Sequence, residues 1–217
     1  MRMARFSVLA LALAAGAVDA LSFLAFGEVF TANMTGNIVL LGLALGLGRT
    51  AHVVGSGLAF AGFCAGLAVG FGLVGRASGD GVARRPAVAL GVELALLAGV
   101  AVGWAVQAPR LALIAASAVA MGLQSAVTRW AGGSGLSTTY LTGTVTGLAG
   151  HVVGSWNPVP GEGRGGGVAR PLGVVSSVAA GAVLAAVSLR LWPPVAPLIA
   201  PVAVAVATGW WALSVRR

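Results

Sequence analysis

Apolar runs long enough to cross a bilayer dominate this chain. A membrane-spanning α-helix needs about 20 mostly apolar residues, and eight stretches approach that length, near 7–27, 29–48, 52–74, 86–107, 109–128, 136–156, 171–191 and 193–214. Polar punctuation separates them: Arg49 after the second, Arg76 to Arg85 after the third, Pro109-Arg110 between the fourth and fifth, and Pro158 to Arg170 after the sixth. The pattern predicts an all-α, polytopic transmembrane helix bundle of about eight spans, built as a single integral membrane domain over 1–217. Two runs are less apolar than the rest. The second carries Thr31, Asn33, Thr35 and Asn37, and the sixth carries Ser137, Thr138, Thr139, Thr142, Thr144 and Thr146. A broken or re-entrant segment at either place lowers the count to seven or six crossings.

The first run also has the outline of a secretory signal, since Arg2 and Arg5 precede an apolar stretch ending in small residues around Val18-Asp19-Ala20. Signal cores are about 7 to 15 residues long, whereas this one continues through Leu21 to Phe26, so an uncleaved first span is expected.

Composition excludes the soluble classes. Only 8% of the 217 residues are charged and 58% are hydrophobic, too little polar surface to coat a soluble globule. The 34 glycines lie inside the apolar runs, where small residues four apart let helices approach closely in lipid. Gly62, Gly66 and Gly70 form such a series, as do Gly42/Gly46, Gly99/Gly103 and Gly173/Ser177/Gly181. Packing within the chain is the expected use, with a homo-oligomer face as the alternative. All 13 basic residues are Arg, mostly placed between the runs, so the net charge of +8 points to loops beside anionic lipid and not to nucleic acid. With eight spans, eight Arg fall on the side of the termini and five opposite. The positive-inside bias then puts both termini in the cytoplasm, and the Arg-only, Ala/Gly/Val-rich usage suits a GC-rich bacterial genome, with the bacterial cytoplasmic (inner) membrane as the expected location. Cys64 is the single cysteine, so no disulfide within the chain forms. No metal-ligand spacing, phosphate loop or nucleophile elbow occurs, and no cofactor is expected.

The chain contains an internal echo. Gly16-Ala17-Val18-Asp19-Ala20 precedes Asn33-Met34-Thr35-Gly36-Asn37 much as Gly122-Leu123-Gln124-Ser125-Ala126 precedes Tyr140-Leu141-Thr142-Gly143-Thr144. Thr35 and Thr142 are 107 residues apart. Because that offset holds four runs, it predicts two parallel four-helix repeats with broken or polar second helices, about 7–107 and 109–214. A second match, His52 to Ser56 against His151 to Ser155, has an offset of 99 and falls out of register.

These residues also resemble a known family. Val18-Asp19-Ala20, Phe30 to Asn37, Met121-Gly122-Leu123-Gln124 and Thr138 to Thr144 are similar to the YoaK/DUF1275 group of bacterial multi-span membrane proteins. The likeness runs along essentially the whole chain and implies a membrane-embedded helical fold without an agreed activity. Ser125 stands where other members tend to carry Asn.

Polar groups inside spans are costly and mark candidate sites. Asp19 in the first run and Glu93 in the fourth are the two such carboxyls, while Glu28 falls near a span end. Asn33 and Asn37 share a helix face, as do Thr31 and Thr35, and Thr138, Thr142 and Thr146 repeat the stripe. Gly36 and Gly143 sit within these stripes, where an unwound helix would bare its backbone to a ligand. The expectation is one internal polar site drawing on Asp19, Asn33, Thr35, Gly36, Asn37, Glu93, Gln124, Thr142, Gly143 and Thr144. Such a site suits a transporter or permease for a small solute or ion. The competing class is a membrane scaffold or assembly factor whose polar groups only hold helices together. An enzyme is not expected, because no catalytic signature accompanies Asp19 and Glu93.

Overall fold

The computed structural model describes residues 5–75, 84–132, 141–154 and 168–215, and among them it contains eight α-helices and no strand. The helices are α1 (Arg5–Ala25), α2 (Met34–Gly46), α3 (Thr50–Val74), α4 (Arg84–Ala105), α5 (Arg110–Gly132), α6 (Leu141–Gly154), α7 (Ala169–Leu191) and α8 (Ile199–Val215), with a 3₁₀ turn at Ala196–Leu198 before the last. Six of them, all but α2 and α6, are long and apolar enough to cross a membrane. The expected boundaries of these six hold to within a few residues. At 13 residues, α2 reaches about 20 Å, well short of a hydrocarbon core of about 30 Å. Residues 76–83 and 158–167 of the loops expected at Arg76 to Arg85 and Pro158 to Arg170, and the start of the sixth run at 136–140, lie outside the described residues.

Helix ends close in a repeated way. Glu28 N–H donates to Phe23 O, Arg49 N–H to Ala44 O and Ala108 N–H to Gly103 O, each reaching back five residues to cover a carbonyl that the last turn leaves open. Gly27 and Gly48 supply the left-handed backbone this reversal needs, with φ of 114° and 67°.

The ends also fix helix direction. Ala25, Trp104, Arg110 and Pro193 line one cavity, and Phe26, Thr50 and Arg110 line another. Thus α1, α4 and α7 finish where α3 and α5 begin. At the far end Phe6 packs on Trp210, with ring centroids 5.1 Å apart, and Ser7 Oγ donates to Ala207 O. α1 and α5, the first helices of the two expected repeats, therefore run in opposite directions. This corrects the parallel arrangement. The physical reason is that α2 lies between two helices sharing one end of the bundle and α6 between two sharing the other, which leaves three long helices in each half and reverses the second.

Burial places α5 and α1 at the centre, with 72% and 56% of their spanning windows enclosed against 22% for α3 and 17% for α7. The tightest contacts are two crossings without side chains between them. A Cβ on Gly66 would strike Val119 O and one on Gly122 would strike Phe63 O, so α3 and α5 touch backbone to backbone. A Cβ on Gly16 would strike Val178 O and one on Gly181 would strike Leu13 O, which joins α1 to α7. Such close approach gives dispersion and Cα–H···O contacts in lipid, where the hydrophobic effect between helices is lost. The Gly62/Gly66/Gly70 and Gly173/Gly181 series thus pack within the chain, while Gly42, Gly46 and Gly99 have nothing within 4 Å.

Candidate functional site

The polar second run owes its local structure to a carboxylate. Between α1 and α2 the backbone of residues 26–33 is not helical, and its amides need acceptors that a membrane does not supply. Asp19, still on α1, provides them: Oδ1 accepts from Thr31 N at 2.8 Å and Ala32 N at 2.7 Å, and Oδ2 accepts from Asn33 N at 3.1 Å. Asn33 then caps α2 by accepting from Gly36 N at 3.3 Å. Asn37 works from the other side, accepting from Phe30 N at 2.9 Å and donating Nδ2 to Phe30 O. Ser22 and Thr31 share a hydroxyl contact of 3.3 Å. Asp19, Ser22, Thr31, Asn33 and Asn37 therefore serve to close one turn, and Thr35 takes no part in it.

Gly36 does not unwind its helix, which runs unbroken from Met34 to Gly46. The break lies earlier, at 26–33. Glycine is needed at 36 because a Cβ would sit 2.9 Å from the Phe30 ring and 3.1 Å from Asn33 Nδ2.

Beside this turn lies a cavity of about 570 Å³ bounded by α1, the start of α2, the start of α6 and the middle of α7. Asp19, Asn33, Thr35 and Thr142 are its polar walls, and the remainder is apolar, including Ala20, Phe23 and Val178. Asp19 is only half-buried, and Asn33, Thr35 and Thr142 are exposed toward the space. Phe23 and Phe30 stack at 5.0 Å along its edge. Sequence reasoning missed this aromatic pair. Phe23 follows Asp19 by four residues, on the same helix face, which was the available signal.

The cavity gathers four of the ten expected residues. Asn37 and Gly36 stand behind it as supports of the turn. Gln124 is buried on α5 and donates Nε2 to Leu11 O at 3.1 Å, tying α5 to α1. Thr144 is buried and Gly143 half-buried on α6, and neither lines the cavity. Membrane hydroxyls did not need one shared site, because they return to their own helix. Ser125 donates to Met121 O, Thr128 to Gln124 O, Thr146 to Thr142 O and Thr208 to Val204 O.

Glu93 also stands apart. It is fully buried on the inner side of α4 with Leu90 and Leu97, and neither oxygen has a hydrogen-bond partner among the described residues. An unpartnered buried carboxyl destabilises a fold. Glu93→Met, of similar length and without the polar atoms, is expected to raise stability by about 1–3 kcal/mol. The thermal midpoint of the purified protein reads this, and a lowered midpoint would mean that the carboxyl is satisfied after all. Among the described residues no group of three His, Cys, Asp or Glu side chains is placed to hold a metal ion.

Comparison with known proteins agrees with the membrane-embedded architecture. The chain is 38% identical to the UPF0700 transmembrane protein YoaK of Bacillus subtilis (strain 168) over 146 residues, which is 66% of this chain and 65% of that relative's length. No solved structure matches. The profile of DUF1275, described as a protein of unknown function, matches residues 7–210 and so takes in all eight helices and the Asp19 cavity; with six apolar helices of spanning length, this chain is a multi-pass membrane protein of the DUF1275 family.

Proposed function

We propose that the protein is a small-solute permease of the bacterial cytoplasmic membrane, with the Asp19 cavity as its substrate site between two inverted halves, about 7–107 and 109–214. The observation that carries the proposal is the reciprocity of the two close crossings. Gly16 and Gly122 are 106 residues apart, as are Leu13 and Val119, while Phe63 and Val178 are 115 apart, as are Gly66 and Gly181. Exchanging the halves therefore turns the α1–α7 contact into the α5–α3 contact, atom type for atom type. In the same exchange α2 becomes α6, and Thr35 becomes Thr142. His52 on α3 and His151 on α6 are not counterparts, consistent with the loss of register in that match.

Inverted halves related by an axis in the membrane plane, with short helices starting near the middle, are the arrangement from which many transporters build a central site. The charge pattern supports the topology. Among the described residues, Arg49, Arg110 and Arg190 lie at one end of the bundle and Arg5, Arg84, Arg85, Arg129 and Arg170 at the other, where α1 begins and α8 ends. The excess at that second end supports a cytoplasmic location for it. The solute passes through chemically unchanged.

The two halves differ at one point with functional weight. Where the first has Asp19, the second has Ser125, whose hydroxyl turns back to Met121 O. Among the described residues the site accordingly carries a single acidic group. Flux of labelled metabolites and ions into proteoliposomes tests the reading. Thr142→Val, which removes one hydroxyl from an exposed wall of the cavity, is expected to reduce transport of any accepted solute by about tenfold, a change of about 1.4 kcal/mol, with folding intact. Absence of flux above empty liposomes for a broad panel, or flux that Thr142→Val leaves unchanged, contradicts it.

A further inference from the structure

The cavity is sealed neither from the outer surface nor by it. Leu24 on α1 and Val183 on α7 line it while being 56% and 60% exposed. In a bilayer the outer faces of α1 and α7 meet acyl chains, because no water-filled region surrounds an apolar helix at that depth. The edge of the cavity at Leu24 and Val183, beyond the Gly16–Gly181 crossing, therefore opens sideways into lipid. Its interior is graded. Polar groups sit together around the start of α2 and α6, whereas the wall running out to Leu24 and Val183 is made of Ala20, Ala182 and similar apolar side chains.

The polar end is also one-sided in charge. Among the described residues Asp19 is the only ionisable one in the lining, with no Arg or His beside it, and Thr35, Thr142 and Asn33 add neutral hydroxyl and amide groups. Asp19 Oδ2 accepts one N–H at 3.1 Å and keeps acceptor capacity toward the cavity. A ligand matched to these walls brings a hydrogen-bond-donating, cationic head and an apolar body.

From this geometry we infer that the substrate is a lipophilic amine that enters and leaves the Asp19 cavity from the bilayer, past Leu24 and Val183. This rests on the permease reading and names its substrate class. The volume of about 570 Å³ lies within the range of ordinary ligand pockets, about 300–1,000 Å³. A ten-carbon amine fits such a space with its chain toward Val183.

Binding to the purified protein in liposomes, measured by fluorescence of a decylamine probe that carries a dansyl group at the far end of its chain and keeps a free primary amine, tests the inference against two competing ligands. Decanoic acid has the chain with the opposite charge, and putrescine has amines without an apolar body. The decylamine probe is expected to bind at least about tenfold more tightly than either. Ala182→Trp combined with Val183→Trp, which fills the lateral gap from a surface that already faces lipid, is expected to weaken that binding about tenfold while putrescine binding stays unchanged. Thr35→Val, at a residue that holds no part of the turn, separates loss of the site from loss of fold. Equal binding of decanoic acid overturns the charge assignment. Binding of decylamine that both Trp substitutions leave intact overturns lateral access. Flux of polar solutes with no decylamine binding overturns the inference and spares the permease reading, whereas no binding and no flux of any solute removes both.

Discussion

Asp19→Ala is expected to release the chain between α1 and α2 and to abolish any activity of the cavity. The carboxylate is the acceptor for three successive backbone N–H groups, at Thr31, Ala32 and Asn33, and lipid offers no replacement. An orphaned buried donor costs about 1–3 kcal/mol. Two of the three are buried, so the substitution removes roughly 3–5 kcal/mol from the docking of this turn. Asp19→Asn keeps one acceptor oxygen but turns an amino group toward a third N–H, and roughly half of the loss is expected. If Asp19 served only as a titratable charge, Asp19→Asn would instead fold normally and lose only that charge. Hydrogen exchange at the amides of Thr31, Ala32 and Asn33 distinguishes the two. Protection should fall at least about a hundredfold in Asp19→Ala, since each 1.4 kcal/mol is a factor of ten. Unchanged protection would mean that the turn is held by something other than this carboxylate.

The second large effect lies at the helix crossings. Gly16→Ala and Gly122→Ala each put a methyl group onto a carbonyl of the facing helix, Val178 and Phe63 respectively. Backbones cannot rotate away as side chains can, so α1 must part from α7, or α5 from α3. Overpacking of this kind costs about 1–3 kcal/mol, and more where backbone must move. Gly42→Ala provides the control, because nothing lies within 4 Å of that position. It is expected to be neutral or stabilising by up to about 1 kcal/mol through helix propensity. Thermal unfolding in detergent should therefore order the variants as Gly42→Ala, wild type, then the two crossing variants together. Similar midpoints for all of them would remove the backbone contact as an organising feature. Unequal losses at Gly16 and Gly122 would weigh against the equivalence of the halves.

How much of this was legible beforehand depended on the range of the interaction. Helix positions follow from local hydropathy, which is why Arg110 to Gly132 and Ala169 to Leu191 appear within about a turn of their expected limits. The polar character of the second run was visible, and so was the choice between a full span and an interrupted one. What the residues could not decide was where the interruption falls, because Gly36 and the Asn33/Asn37 stripe suit an unwound helix as well as a capped one. The answer depends on Asp19, 12 to 14 residues upstream. Direction had the same character. An inverted and a parallel repeat share the same local echo, and only the count of crossings separates them. The pairing of Gly66 with Val119 and of Gly181 with Leu13 joins distant helices and leaves no local trace beyond small residues. Within the site, Asp19, Asn33, Thr35 and Thr142 were found because polar side chains are conspicuous in an apolar chain. Glu93 and Gln124 were added for the same reason and belong elsewhere. Phe23 and Phe30 were passed over because aromatics in membrane helices are ordinary.

If polar groups from both halves face one transport cavity, a pair of cysteines on its wall can be joined across it. Thr35→Cys with Thr142→Cys, in a background where the exposed Cys64 is replaced by Ala, places one thiol from each half on the cavity wall. A short bifunctional thiol reagent should join them within a single chain in native membranes, and proteoliposome flux of the accepted solute should stop on joining and return when a cleavable linker is cut. Two thiols that each react singly yet never join, or a joined protein that transports at the rate of the unjoined one, would contradict the account.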